Sequence, residues 1–259
     1  MSAYQTLAID VVSDVVCPWC YLGQKRLEKA IAAVPEIDVT VHWRPYQLDP
    51  TIPADGRDRR EYMLSKFGSE ERIREIHARI EPLGAAEGIA FDFDAIKVSP
   101  NTLEAHRLIR WGANEGLEIQ NRIVKALFSA YFEQGLNVGD RAVLIDTARS
   151  AGMDPAVVEV LFATDADRAE VVEEIETASR MGITGVPCFL LERRYAVMGA
   201  QDTAVLADAI RQVAAASTPP NDASCRPGSV ASWISWSSKR SDRRRGHHWR
   251  VPVTPLWRW

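Results

Sequence analysis

Two cysteines separated by Pro18 and Trp19 lie where a predicted apolar strand gives way to a predicted helix. Residues 4–16 form a nearly continuous apolar run rich in β-branched side chains, which is typical of a strand buried on both faces. From Cys20 onward apolar residues recur at steps of three and four, which predicts a surface helix. A Cys-x-x-Cys motif at such a junction is typical of a redox-active dithiol. This motif therefore constrains the fold more than any other stretch.

The helix pattern predicts different environments for the two thiols. Cys17 falls at the cap position and Pro18 at the first helical position, where the missing N–H costs little. Cys20 belongs to the apolar stripe, so we expect Cys17 to be exposed and Cys20 to be sheltered. The positive end of the helix should favour the reactive thiolate of Cys17. The charge of Asp14 would oppose this, and we expect its carboxylate to face water.

Two other interpretations of the cysteine pair are a structural zinc site and a pair of inert core residues. A structural zinc ion needs four ligands, and the body of the chain has neither a second Cys-x-x-Cys nor paired histidines. We therefore predict no metal site. The order of strand, motif and helix favours redox chemistry over inert packing.

Cysteine content and charge restrict the compartment and the partners. No run approaches the roughly 20 apolar residues of a membrane span, and no signal peptide is visible. We therefore expect a cytoplasmic protein that does not bind membranes, in which a disulfide is transient and catalytic. The basic residues concentrate after residue 217, so the rest is more acidic than the whole-chain net charge of −4. An acidic body disfavours nucleic-acid binding.

The periodicity along the chain predicts strand–helix–strand, a long helical block and strand–strand–helix. Residues 37–43 alternate between apolar and polar, as expected for a half-buried strand. From about 58 to 181 the pattern is helical almost throughout, and Ser99 with Pro100 is predicted to start one of the helices. Residues 183–191 and 195–198 return to strands before a last helix.

That order, together with several short motifs, resembles the DsbA family of thioredoxin-fold proteins over roughly residues 5–215. The resemblance is to its FrnE-like branch, which is related to 2-hydroxychromene-2-carboxylate isomerases and kappa-class glutathione transferases. The motifs that carry it are Cys17-Pro18-Trp19-Cys20, Trp43-Arg44-Pro45-Tyr46-Gln47-Leu48, Ser99-Pro100-Asn101-Thr102, Ala105-His106-Arg107, Gly185-Val186-Pro187 and Gly199-Ala200-Gln201.

The resemblance implies an α/β thioredoxin fold (βαβ…ββα) with a large all-helical insertion. The thioredoxin-fold domain would comprise residues 1–45 and 183–216, and the inserted helical domain residues 46–182. Residues 217–259 depart from the family pattern. Their composition of Pro, Ser, Arg and Trp without helical or strand period predicts a disordered basic tail.

The resemblance also assigns roles at the predicted site. Pro187 would follow a cis peptide bond and face Cys17, and the backbone of Val186 would pair with an extended substrate. Pro18 and Trp19 would tune the redox poise.

Three further residues keep two interpretations each. Asn101 and His106 would line the substrate pocket by resemblance to the isomerase branch, whereas the apolar face around His106 favours a core histidine. Cys188 could be a third thiol at the site, although its alternation with Phe189 favours a small core residue.

The predicted function is a cytoplasmic thiol–disulfide oxidoreductase in which Cys17 attacks and Cys20 resolves the mixed disulfide. Its partners would be protein or small-molecule thiols and disulfides, and it would need no cofactor, with glutathione as an optional thiol co-substrate. The first alternative is a glutathione-dependent isomerase or transferase, and the second is a chaperone-like binder. Retention of both cysteines favours dithiol chemistry, because the isomerase and transferase relatives have serine where Cys17 stands. The oligomeric state stays open, with a homodimer among the options.

Overall fold

The computed structural model describes residues 5–217, whose main strands and helices follow the predicted order, with two short unpredicted strands inside the helical block. The strands are β1 (Gln5–Ser13), β2 (Ile37–Pro45), β3 (Arg57–Asp58), β4 (Val98–Ser99), β5 (Cys188–Leu191) and β6 (Tyr195–Met198). The helices are α1 (Pro18–Ala32), α2 (Arg59–Phe67), α3 (Glu70–Ala86), α4 (Leu103–Glu115), α5 (Leu117–Phe132), α6 (Arg141–Ala151), α7 (Pro155–Phe162), α8 (Arg168–Arg180) and α9 (Thr203–Ser217).

The main sheet has the strand order β2-β1-β5-β6. β1 and β2 are parallel and are joined through α1, whereas β5 runs antiparallel to β1 and to β6. The apolar run of β1 fits this central position, because Leu7, Ile9, Val11 and Val12 are all buried. This topology confirms the predicted α/β thioredoxin fold with its helical insertion.

Close packing of α1 on β5 brings the predicted motif to the start of the third strand. A β-carbon at Gly23 would lie 2.9 Å from Cγ of Pro187 and 3.1 Å from the Phe189 ring. Real side chains do not approach so closely, so only glycine permits this contact without displacement. The first turns of α1 therefore lie directly against the Val186–Pro187 segment.

A side chain of the helical block closes the outer edge of β2. Gln120 on α5 accepts the Trp43 N–H at 3.1 Å and donates its amide to the Trp43 carbonyl at 3.1 Å. This pairing satisfies a buried strand residue as a neighbouring strand would. The main hydrophobic cluster also spans both parts, from Val11 of β1 to Leu127 of α5. The division into residues 1–45 with 183–216 and residues 46–182 stays a prediction.

The predicted helix start at Ser99 is wrong. Ser99 belongs to β4 and pairs with Arg57 of β3, and α4 begins at Leu103 with Thr102 as its cap. The cause is a long-range pairing between segments about 40 residues apart, which overrides the local capping signal.

The structure bears only in part on two expectations, the disordered tail and the absence of a membrane span. The tail predicted from residue 217 lies, from residue 218 onward, outside the described residues, and so does Cys225. Within residues 5–217 no helix combines the length and the apolar character that crossing a membrane requires.

Candidate active site

Cys17 caps α1, and Pro18 is the first helical residue. The Cys17 backbone is extended (φ −93°, ψ 112°), and its carbonyl accepts the N–H of Cys20 at 3.0 Å. Its own N–H donates to the carbonyl of Asp14 at 3.0 Å. These contacts confirm the predicted positions of Cys17 and Pro18 and hold the motif in a tight turn.

The two thiols of the motif interact directly. Burial raises the pKa of the Cys20 thiol well above its usual range, and the hydrogen bond and charge of Cys17 raise it further. The Ser13 hydroxyl and the Asp14 N–H act in the opposite direction without reversing this shift. Cys20 therefore stays protonated near neutral pH.

The segment before β5 lies over Cys17. The Val186–Pro187 peptide bond is cis, as the resemblance implied. The Cys17 thiol donates to the carbonyl oxygen of Val186, with 3.8 Å between Sγ and O. The fold thus brings two segments about 170 residues apart to one sulfur.

The prediction of an exposed Cys17 is wrong. Its side chain has no exposed surface, and Cys20 is also buried. The helix periodicity could only separate the two faces of α1, and it carries no information about the Val186–Pro187 segment that approaches the cap from another part of the chain. Trp19 is buried as well.

The expectation that Asp14 faces water is also wrong, because only 1% of this residue is exposed. Oδ2 of Asp14 accepts the Leu48 N–H at 2.8 Å. Oδ1 lies 3.5 Å from Nε2 of His106 but has no hydrogen-bond partner. The reason is that Nε2 donates its proton to the Tyr46 carbonyl at 2.8 Å, since a carbonyl can only accept.

Asn101 and His106 both contact the segment that follows β2. Oδ1 of Asn101 accepts the Gln47 amide at 3.0 Å, and Nδ2 donates to the Ile52 carbonyl at 2.7 Å. His106 is buried and reaches the same segment through Tyr46. Their predicted role in lining the substrate pocket stays a proposal.

Cys188 is the first residue of β5 and pairs in register with Val12. It is fully buried, and burial raises the pKa of its thiol to about 12. Such a thiol stays protonated and behaves as a small apolar side chain. Its environment therefore favours the core interpretation.

Ser13 and Leu48 are site residues that the sequence reasoning did not identify. Ser13, the last residue of β1, counteracts part of the rise in the pKa of Cys20, and the Leu48 N–H donates to the Asp14 carboxylate. The position of Ser13 directly before Asp14 and the motif was an available signal. No local signal marks a backbone N–H such as that of Leu48.

Comparison with known proteins agrees with this architecture. Residues 8–211 match the DSBA-like thioredoxin domain. The chain is 28% identical over 192 residues to the uncharacterized protein YwbO of Bacillus subtilis, which covers 72% of this chain and 87% of that protein.

Two solved structures are similar. A probable DsbA oxidoreductase, SCO1869 from Streptomyces coelicolor, is 30% identical with a TM-score of 0.74 and covers 86% of this chain and all of that one. The cytosolic disulfide reductase DsbM from Pseudomonas aeruginosa, solved with GSH, is 18% identical with a TM-score of 0.55, over 80% of this chain and 99% of its own. The latter likeness concerns the fold alone. With the matched domain spanning the sheet, the dithiol motif and the helical block, this chain belongs to the DSBA-like thioredoxin domain family.

Proposed function

We propose that this protein is a cytoplasmic thiol–disulfide oxidoreductase of the FrnE-like branch, with Cys17 as its nucleophile and Cys20 as its resolving thiol. The direct interaction of the two sulfurs at the start of α1 carries this proposal. Burial and the neighbouring Cys17 both disfavour ionisation of Cys20. Cys20 is therefore held as a protonated thiol, which suits a resolving residue and leaves Cys17 as the attacking one.

The reaction is a sequence of two exchanges. The Cys17 thiolate attacks a substrate disulfide, forming a Cys17 mixed disulfide and releasing one substrate thiolate. Cys20 then loses its proton, ultimately to the departing thiolates or to solvent, and attacks Cys17. The products are the Cys17–Cys20 disulfide and a fully reduced substrate, and the reverse sequence oxidises a dithiol. Because Cys17 has no exposed surface, either direction requires the covering groups to move aside.

Four neighbouring residues support this chemistry in the proposal. Pro18 begins α1 and, with Trp19, shapes the turn between the sulfurs, so that both affect the redox poise. The Val186 carbonyl accepts the Cys17 thiol and Pro187 follows it through the cis bond, and here the backbone of Val186 would pair with an extended substrate segment.

Glutathione is the small thiol that we propose as a co-substrate, since one structural neighbour was solved with GSH. It would reduce or form the Cys17–Cys20 disulfide by the same exchanges. The contact between two thiols favours this role over a single-thiol, glutathione-dependent isomerisation.

Equilibration with glutathione redox buffers tests the proposal. After thiols are trapped by alkylation, mass spectrometry should show one internal disulfide between Cys17 and Cys20, with a midpoint potential between roughly −120 and −270 mV. Cys20→Ser should instead accumulate a glutathione adduct on Cys17. Cys188→Ala is the matched control and should behave as the unmodified protein.

A different set of products would contradict the proposed dithiol mechanism. If the unmodified protein accumulates the Cys17 adduct and forms no internal disulfide, the dithiol mechanism is wrong. The glutathione-dependent isomerase interpretation would then replace it.

A further inference from the structure

The segment Tyr46–Ile52 continues β2 beyond its last residue and runs beside the residues that lead into the dithiol. The Tyr46 N–H donates to the Ser13 carbonyl at 3.0 Å, and the Leu48 N–H donates to Asp14 at 2.8 Å. Ser13 and Asp14 lead directly into the motif, where the Asp14 carbonyl accepts the Cys17 N–H at 3.0 Å. One pair of residues therefore joins the segment to the catalytic thiols.

Polar side chains from three parts of the fold hold this segment, two of them buried and that of Asn101 half-buried. Asp14 follows β1, Asn101 precedes α4, and His106 lies on α4. Asn101 fixes the segment at two points, Gln47 and Ile52, while His106 fixes the Tyr46 carbonyl. A loop on the surface needs no such anchoring, so the fold specifies the conformation of this one.

The fixed segment presents apolar side chains. Tyr46 and Leu48 are half-buried and pack on the main hydrophobic cluster. Burial and the charge of Asp14 raise the pKa of Tyr46. A partly exposed aromatic and a partly exposed aliphatic side chain therefore lie on the segment that runs beside the residues leading into the dithiol.

We propose that Tyr46 and Leu48 form the wall against which the substrate is held, so that disulfides flanked by apolar or aromatic groups are preferred. Asp14, Asn101 and His106 are then positioning residues, which act through the segment and do not touch the reacting sulfurs with their side chains. This inference rests on the proposed oxidoreductase function and specifies its substrate class.

Two uncharged small disulfides of different character test the wall. The reduced protein is mixed with 4,4′-dithiodipyridine or with 2-hydroxyethyl disulfide, and each rate is normalised to that of free glutathione. The protein should favour the aromatic disulfide. Tyr46→Ala should lower this preference about tenfold, the usual effect of losing one apolar contact.

The ratio of the two normalised rates, aromatic disulfide over 2-hydroxyethyl disulfide, also tests positioning by Asn101. Asn101→Ala should lower it about as much as Tyr46→Ala, whereas Asn101→Asp keeps the acceptor for Gln47 and should restore part of it. Asn121→Ala is the matched control, because Asn121 also accepts a side-chain hydrogen bond, from the Trp43 indole at 3.2 Å, but lies on α5. It should leave the ratio unchanged.

An unchanged ratio in Tyr46→Ala or in Asn101→Ala, or a fall of the ratio in Asn121→Ala as large as that in Asn101→Ala, would overturn the inference. If Asn101→Ala does not fold, as judged by circular dichroism, Asn101→Asp and Tyr46→Ala decide the question. A failure of the oxidoreductase function gives a different result, because Cys17→Ser would then reduce both disulfides as fast as the unmodified protein.

Discussion

At the scale of single residues, Gln120 shows how one side chain can substitute for a strand. Its amide satisfies both backbone groups of the buried Trp43. Gln120→Leu should lower the free energy of unfolding by about 2–4 kcal/mol, because an unsatisfied buried backbone group costs about 1–3 kcal/mol. Urea denaturation followed by circular dichroism measures this change.

Asn121→Ala is the control for Gln120→Leu in the same measurement of the free energy of unfolding. Asn121 is half-buried and, within residues 5–217, its side chain hydrogen-bonds only to the indole of Trp43, so its loss should cost about 1 kcal/mol or less. Equal midpoints for Gln120→Leu and the unmodified protein would show that the edge of β2 does not depend on this pairing.

At the scale of secondary-structure elements, Arg107 joins α4 to the connection between α7 and α8. Its fully buried guanidinium donates to the carbonyls of Leu161, Thr164 and Ala166 and to the carboxylate of Glu104. Its planar fork reaches these acceptors together, which a lysine ammonium could not do. The side chain therefore orders a connection that has no regular structure of its own.

Arg107→Met should destabilise the protein by about 3–5 kcal/mol, because it leaves Glu104 and three carbonyls without their buried partner. Hydrogen exchange should accelerate most in residues 161–168. Arg110→Met is the matched control on the same helix, since Arg110 is 34% exposed in its ion pairs with Asp167 and Glu174. A loss as large in Arg110→Met as in Arg107→Met would contradict a special role for the connection.

At the scale of the whole molecule, several buried or half-buried ionisable groups make the fold sensitive to acid. His77 stacks on Phe93 with 4.0 Å between ring centroids. Burial, and then the charge of Arg59, lowers its pKa to about 4. The unfolded chain has a histidine pKa near 6.5, so it binds the proton more readily than the folded chain does.

The stability that His77 contributes is therefore complete above about pH 6.5 and is lost as the pH falls toward 4. His77→Phe retains an aromatic ring against Phe93 and should remove on the order of 1 kcal/mol of the stability difference between pH 7 and pH 5, allowing for solvent screening. Urea denaturation at both pH values tests this. The half-buried His42 provides the control, and an equal effect of His42→Gln would refute the assignment to His77.

The same acid sensitivity extends to carboxylates on both sides of the fold. Burial would raise the pKa of Asp10, but its ion pairs with Arg44 and Arg193 lower it overall. The ion pairs of Glu87 with Lys29 and Arg26 lower the pKa of Glu87 in the same way. Each contributes stability above its unfolded pKa and loses it as the pH falls through the lower folded value.

The sequence by itself determined the order of strands and helices and the location of the dithiol. Both depend on local signals, since apolar periodicity, Pro18 at a helix start and the motif at a strand exit act within a few residues. For the same reason the fold class and the cap position of Cys17 were predictable.

Only the tertiary structure decided which polar groups are buried. Cys17 meets Val186, Asp14 meets Leu48, and Trp43 meets Gln120 across separations of 169, 34 and 77 residues. A sequence pattern records which face a side chain prefers but not which distant segment will cover that face. Chain folding alone creates these contacts, and for that reason the exposure of Cys17 and Asp14 was predicted wrongly whereas their positions along the chain were not.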